Sequence, residues 1–168
     1  MTNIATLEVP TNHLSEIGLD KKKSNELAKK LTVLLANYSI FYQNVRGYHW
    51  NLKGEKFFEL HIKFEELYEN LYLKIDEIAE RIVTLGHPAN HNFSYYSIES
   101  KIKEQTQVSD GIKAADDVCN SLKIIVMLER DILSFSDEMQ DEGTSNLISE
   151  AIKEQEKLIW MYAAFLRK

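Results

Sequence analysis

Nine apolar residues, Phe57, Leu60, Phe64, Leu67, Leu71, Ile75, Ile78, Ile82 and Leu85, recur at steps of three and four with no Gly or Pro among them. An α-helix of about eight turns returns such residues to one side, and a stripe of that kind has to be buried against other elements. The rest of the chain repeats the pattern. Leu27, Leu31, Leu34, Tyr38, Phe41 and Val45 mark a helix from Asn25 to Trp50, with Ser24 as its expected N-cap. Gly54 breaks the chain. The second helix then runs from Glu55 to Leu85, where Gly86 suits a left-handed cap and Pro88 cannot continue a helix. Residues 87–107 form a long crossover, with a short helix expected over 97–103. A third helix runs from Ser109 or Asp110 to Asp141. Gly143 reads as its stop and Thr144 or Ser145 as the cap of a fourth helix, which reaches Leu166 along Ile148, Ile152, Gln155, Ile159 and Tyr162. Six Gly and two Pro supply too little turn chemistry for many short strands. The expected fold class is all-α: two helical hairpins joined by one long crossover, making a four-helix bundle over residues 24–168 behind an N-terminal tail over 1–23.

Charge and cysteine content narrow the surroundings. A formal net charge of −6 opposes binding to polyanions through the bulk surface and favours cations. The single cysteine, Cys119, shares helical spacing with Val118, Leu122 and Val126 and reads as a small core residue. A reducing cytoplasm is the expected compartment. No secretory leader is visible in the first twenty residues, and no apolar run approaches the ~20 residues of a membrane span.

The second helix carries another stripe beside its core stripe: His61, Glu65, Asp76 and Glu80. The pairs 61/65 and 76/80 are each i,i+4, and at about 100° per residue all four lie on one side. One helix cannot bring all four to one ion, since residues 65 and 76 are about 16 Å apart along the axis and metal–ligand bonds are about 2 Å. Residues 61 and 80, however, are equally distant from a midpoint near 70–71, and so are 65 and 76. Two copies of this helix crossing antiparallel about a two-fold at that midpoint would set His61 and Glu65 of one against Glu80 and Asp76 of the other, giving two equal sites. Tyr68 and Tyr72 would fill the centre. His49, five residues before Gly54, becomes a neighbour of His61 across the hairpin. Taken singly, these residues equally fit a solvated carboxylate face and a packed core histidine. As a set they make a mixed N/O site suited to Fe(II), although spacing does not choose iron over zinc or manganese.

The segments Gly47-Tyr48-His49-Trp50-Asn51-Leu52-Lys53-Gly54, Phe57-Phe58-Glu59-Leu60-His61, Tyr68-Glu69, Asp76-Glu77-Ile78-Ala79-Glu80-Arg81-Ile82 and Leu85-Gly86 resemble the Dps family, and Leu158-Ile159-Trp160-Met161 extends the resemblance to the last helix. One long connection in a four-helix bundle is the ferritin-like arrangement. The resemblance implies a cytoplasmic dodecamer, a hollow shell built from two-fold dimers. It also implies an intersubunit ferroxidase centre with His49 and His61 from one chain and Asp76 and Glu80 from its mate. Glu65 stands where many members carry Asp, which leaves a carboxylate and alters the second iron position. Trp50 and Trp160 match tryptophans near the centre, as packing or as redox groups. By the same resemblance Fe(II) is oxidised by hydrogen peroxide, or less efficiently by dioxygen, and stored as Fe(III) mineral, which protects against oxidative stress. Asp137, Glu138, Asp141 and Glu142 fall where similar shells have an iron-entry pore; a solvated acidic helix end is the alternative. Many similar proteins bind DNA through lysine-rich tails, yet residues 1–20 hold no Lys or Arg. Lys21, Lys22 and Lys23 are the only basic cluster there, so DNA binding is expected to be weak or absent. Two competing readings are a DNA-compacting protein and a shell with an inert zinc site.

Overall fold

The computed structural model describes residues 13–167. Most of the tail expected over 1–23, residues 1–12, lies outside that range. Five helices follow in order: α1 (Lys21–Asn51), α2 (Phe57–Thr84), α3 (Phe93–Glu99), α4 (Gly111–Glu138) and α5 (Glu142–Phe165). Among the described residues β-structure is limited to two isolated bridges. α1 packs along α2 and α4, α4 packs along α5, and α3 lies against α1. The expected all-α, ferritin-like bundle with one long crossover is therefore what the chain forms.

The apolar stripes meet in the middle. Leu27, Leu31, Leu34, Tyr38, Phe41 and Val45 of α1 are fully buried, as are Phe64 and Ile82 of α2 and Cys119 of α4. The corner between α1 and α2 is closed against the start of α4. The Lys53 amide donates to the Ser109 carbonyl at 3.0 Å, and a Cβ on Gly111 would come within 2.6 Å of Leu60 Cδ1. Glycine is what allows that approach.

Helix ends depart from expectation at three places, each for a local reason. α1 starts at Lys21, because the Asp20 side chain accepts from the Lys23 amide at 2.9 Å. An acidic cap offsets three lysines placed against the positive end of the helix dipole, and Ser24 is buried one turn further on. The short helix lies at Phe93–Glu99 instead of 97–103. Between α4 and α5 the stop comes before Gly143. Gln140 takes φ 60°, the Asp141 amide reaches back to the Ser136 carbonyl at 2.9 Å, and Gln140 reaches Asp137 at 3.1 Å. That is a Schellman turn, the same turn that Gly86 makes after α2 with φ 88°. Asp141, not Thr144 or Ser145, caps α5, accepting from the Thr144 amide at 3.1 Å. Gly143 is left inside the first turn, beneath the Arg81 guanidinium.

Two buried asparagines of α1 hold the crossover. Asn37 Oδ1 accepts from the amides of Lys101 (2.9 Å) and Ile102 (3.2 Å) and from the Ser100 hydroxyl. Asn44 accepts from the Gln105 amide at 2.9 Å and donates to the Lys103 carbonyl at 2.9 Å. Extended backbone that crosses a bundle face needs such partners, since a buried unpaired amide is costly.

Candidate metal centre

The hairpin of α1 and α2 brings His49 and His61 together. Gly54, at φ 100°, turns the chain, and the imidazoles stack with centroids 3.8 Å apart and planes 19° from parallel. His49 Nδ1 lies 2.9 Å from the His61 carbonyl, and His61 Nδ1 lies 3.0 Å from the His49 carbonyl. A carbonyl oxygen only accepts, so each Nδ1 carries a proton and donates. Each Nε2 then keeps its lone pair while the ring is neutral. A backbone carbonyl orienting the remote nitrogen is the support that metal-ligating histidines ordinarily have. Phe57 stacks on the outer side of His61 at 5.0 Å, and Tyr68 stands edge-on to His49 at 5.3 Å.

The carboxylates are arranged differently. Glu65 is half-buried, with the Tyr68 hydroxyl 3.4 Å from its Oε1. Asp76 and Glu80 are exposed further along α2, and within one chain they are not brought to the histidines. Among the described residues no three metal-ligating side chains gather within reach of one ion.

The face that carries them is apolar to an unusual degree. Phe58, Ile62, Tyr72, Leu73 and Val83 are all more than half exposed, Phe58 at 80 %. At about 100° per residue they share the outward side of α2 with Glu65, Asp76 and Glu80. A contiguous exposed apolar face is a mark of an association surface. Trp50 is also exposed, beneath the Arg46 guanidinium at 4.6 Å, with Tyr42 beside the same guanidinium at 5.2 Å. Trp160 projects from α5 at 67 % exposure, and no ring contact joins it to the histidine pair among the described residues.

At the α4–α5 corner the four expected acidic residues divide. Asp137, Glu138 and Glu142 are exposed, Asp137 accepting from the Ser145 hydroxyl at 2.6 Å. Asp141 is buried at 3 % exposure, paired with Arg81 Nη2 at 2.5 Å and bonded to the Thr144 hydroxyl at 2.6 Å. Burial by itself would raise its pKa, but the hydrogen bonds from Arg81 and Thr144 outweigh that and hold the carboxyl below its ordinary value. Both Asp141 oxygens are thus committed to the corner itself, which corrects its placement with the surface acids. Lys21, Lys22 and Lys23 are exposed in the first turn of α1.

One polar cluster was not read as a unit from the sequence. In the bundle interior the Tyr38 hydroxyl donates to Glu129 at 2.7 Å, and Gln155 Nε2 donates to Glu129 at 3.0 Å and to the Tyr38 oxygen. Glu129 is fully buried, and that burial, only partly offset by the Tyr38 and Gln155 hydrogen bonds, pushes its carboxyl up to about 7. The signal was present: Gln155 interrupts the apolar stripe of α5, and Glu129 follows an apolar run in α4.

Comparison with known proteins agrees with this architecture. The model of the ferritin-like domain matches residues 28–168. An uncharacterised protein of Haemophilus influenzae is 51% identical over 150 residues, 89% of this chain and 94% of that protein. A protein of Porphyromonas gingivalis named DNA protection during starvation protein is 37% identical over 155 residues, 92% and 98% of the two chains. Among solved structures, the Dps protein of Vibrio cholerae O1, described as one of the ferritin-like diiron-carboxylate proteins, superposes with a TM-score of 0.90 at 51% identity, covering 92% of this chain and 97% of that one. A ferritin-like domain spanning most of the chain, with relatives of this similarity over nearly their whole length, makes the chain a member of the Dps family.

Proposed function

We propose that the chain is the subunit of a cytoplasmic mini-ferritin that oxidises Fe(II) at sites shared between two copies and stores the Fe(III) inside a twelve-subunit shell. The observation that carries this is a half-built site on a self-complementary face. His49 and His61 present two Nε2 lone pairs, and the carboxylates that would complete the coordination lie at mirrored distances from the midpoint of α2. A two-fold there pairs His49, His61 and Glu65 of one copy with Asp76 and Glu80 of the other, and the exposed apolar residues of the face would be buried by the same contact.

In this reading iron is the substrate. The imidazoles bind Fe(II) while their Nδ1–H groups stay on backbone carbonyls. The carboxylates add negative charge, which favours Fe(III) over Fe(II). Hydrogen peroxide or dioxygen is the oxidant; with peroxide, two Fe(II) and two protons convert one peroxide to two waters. Asp137, Glu138 and Glu142 would attract cations toward the shell. Of the two tryptophans, Trp50 follows His49 directly in α1 and Trp160 reaches the site only if assembly brings it there.

Anaerobic Fe(II) titration of the assembled protein, followed by peroxide with absorbance and particle size recorded together, is the test. Fe(II) bound at the dimer interface, and oxidised in a dodecamer-sized particle, is the expected result. Full oxidation by a stable monomer would remove the shared site, and zinc retained with no iron oxidation would favour the inert shell.

A further inference from the structure

An unbroken file of rings leads away from the histidine pair. His49 meets Tyr68 edge-on at 5.3 Å, Tyr68 meets Tyr42 edge-on at 6.3 Å, and Tyr42 meets Tyr72 at 6.5 Å. All are within ordinary aromatic contact range. The file alternates between α1 and α2 and ends at Tyr72, exposed near the midpoint about which the α2 face is symmetric. Tyr68 touches two of the proposed ligands at once, its ring against His49 and its hydroxyl toward Glu65.

We infer that Tyr68 is a further catalytic residue: it supplies the second electron when a single bound Fe(II) meets peroxide, and Tyr42 and Tyr72 carry the resulting oxidising equivalent to the two-fold contact. This rests on the ferroxidase reading and deepens it. A lone Fe(II) can give one electron, and peroxide cleaved with one electron releases a hydroxyl radical. With Tyr68 the step becomes Fe(II) + H2O2 + TyrOH → Fe(III) + TyrO• + OH− + H2O. The O–O bond breaks, iron and tyrosine each lose one electron, and the phenolic proton leaves toward Glu65 and ends in water. A second Fe(II), at the same site or at the mate's site, then restores the ring: TyrO• + Fe(II) + H+ → TyrOH + Fe(III). Because two files would meet at the two-fold, either site could close the cycle opened at the other. The buried Tyr38 has no ring contact with this file among the described residues and is bonded to Glu129 instead.

The experiment loads the assembled protein with one Fe(II) per histidine pair without oxygen, adds one equivalent of peroxide, and freezes samples for electron paramagnetic resonance. A tyrosyl signal is expected, narrowed when the protein carries ring-deuterated tyrosine. Y68F should lose it and release more hydroxyl radical to a spin trap, both read per Fe(II) bound. Y42F should keep the signal and shift it to a single, longer-lived ring. Iron oxidised with no tyrosyl signal, or a signal indifferent to Y68F, overturns the inference and leaves the ferroxidase reading standing. A tryptophan signature lost in W50F would move the role to Trp50. Failure of Fe(II) to bind or oxidise overturns both.

Discussion

Two polar clusters in this molecule follow opposite rules. The Tyr38–Glu129–Gln155 cluster draws on α1, α4 and α5 and lies wholly within the bundle: hydroxyl, carboxyl and amide partner one another out of contact with water, with Glu129 Oε2 and Gln155 Oε1 left without a hydrogen bond. The His49–His61 cluster draws on one hairpin and closes only on its inner side. Its Nδ1 atoms are engaged by backbone, and among the described residues no three metal-ligating side chains gather around its Nε2 atoms. The lesson is that polarity in a bundle need not mean a site. A cluster whose partners are all internal serves fold specificity; one left open on an apolar face is suited to receive something.

Altering each cluster should therefore produce different symptoms. The largest effect is expected from His49→Gly with His61→Gly, which should abolish fast Fe(II) oxidation. The lost hydrogen bonds and the glycines inside two helices cost about 1 kcal/mol each, so the melting curve should also fall, and oxidation by stopped flow is read on assembled protein. Asp76→Asn with Glu80→Gln should abolish oxidation as well. Heterodimers reassembled from the histidine and carboxylate variants should recover one site of two; recovery of none, in heterodimers shown to have formed, would break the shared-site half of the comparison.

The acidic corner offers the same contrast at smaller scale. Asp141→Ala leaves Arg81 without its buried partner and should destabilise the fold by about 3 kcal/mol, read by denaturant unfolding. Asp137→Asn, on the exposed side, should cost under about 0.5 kcal/mol and slow iron uptake at low ionic strength; an unchanged uptake rate would return Asp137 to a plain solvated face.

Next in size is a pH effect at the inner cluster. A carboxyl raised from 4.5 to about 7 by folding is bound to its proton more tightly in the native state. Its contribution to stability is then fully present below pH 4.5 and lost as pH rises through about 7, on the order of 3 kcal/mol in all. Glu129→Gln, which cannot ionise, should flatten that part of the stability–pH curve. A wild-type slope of opposite sign between those values would mean Glu129 folds ionised. The smallest effect is expected at Lys21–Lys23. With a net charge of −6 per chain and screening over about 8 Å in physiological salt, plasmid should run unretarded with wild type and with the triple alanine variant alike. Retardation by wild type, lost in the variant, would make those lysines a DNA contact.

How much of this the sequence disclosed depended on periodicity. Helix number, the core stripes and the adjacency of His49 to His61 follow from steps of three and four and one glycine, so they were legible. The symmetric spacing of His61, Glu65, Asp76 and Glu80 was legible too. Helix ends were read less well, because caps are chosen by local competition: Asp20 took the place expected for Ser24, and Gln140 adopted a left-handed turn ahead of the glycine that seemed made for it. Asp141 looked like its surface neighbours because nothing in the local sequence announces Arg81, sixty residues away, as its partner. The tyrosine file was out of reach for the same reason, since it depends on how α1 and α2 are rotated about their axes.

The two asparagines that hold the crossover have a consequence for its length. Asn37 and Asn44 are seven residues apart, about 10.5 Å along α1. From Ile102, the last residue Asn37 holds, to Gln105, held by Asn44, the backbone spans about the same distance when extended. Helix and crossover are thus matched rungs of a ruler. A residue inserted or deleted between 102 and 105 would pull one asparagine off its partner, whereas the exposed residues 106 and 107 could change in number without disturbing the register. Across relatives, length variation in this connection should fall outside residues 100–105.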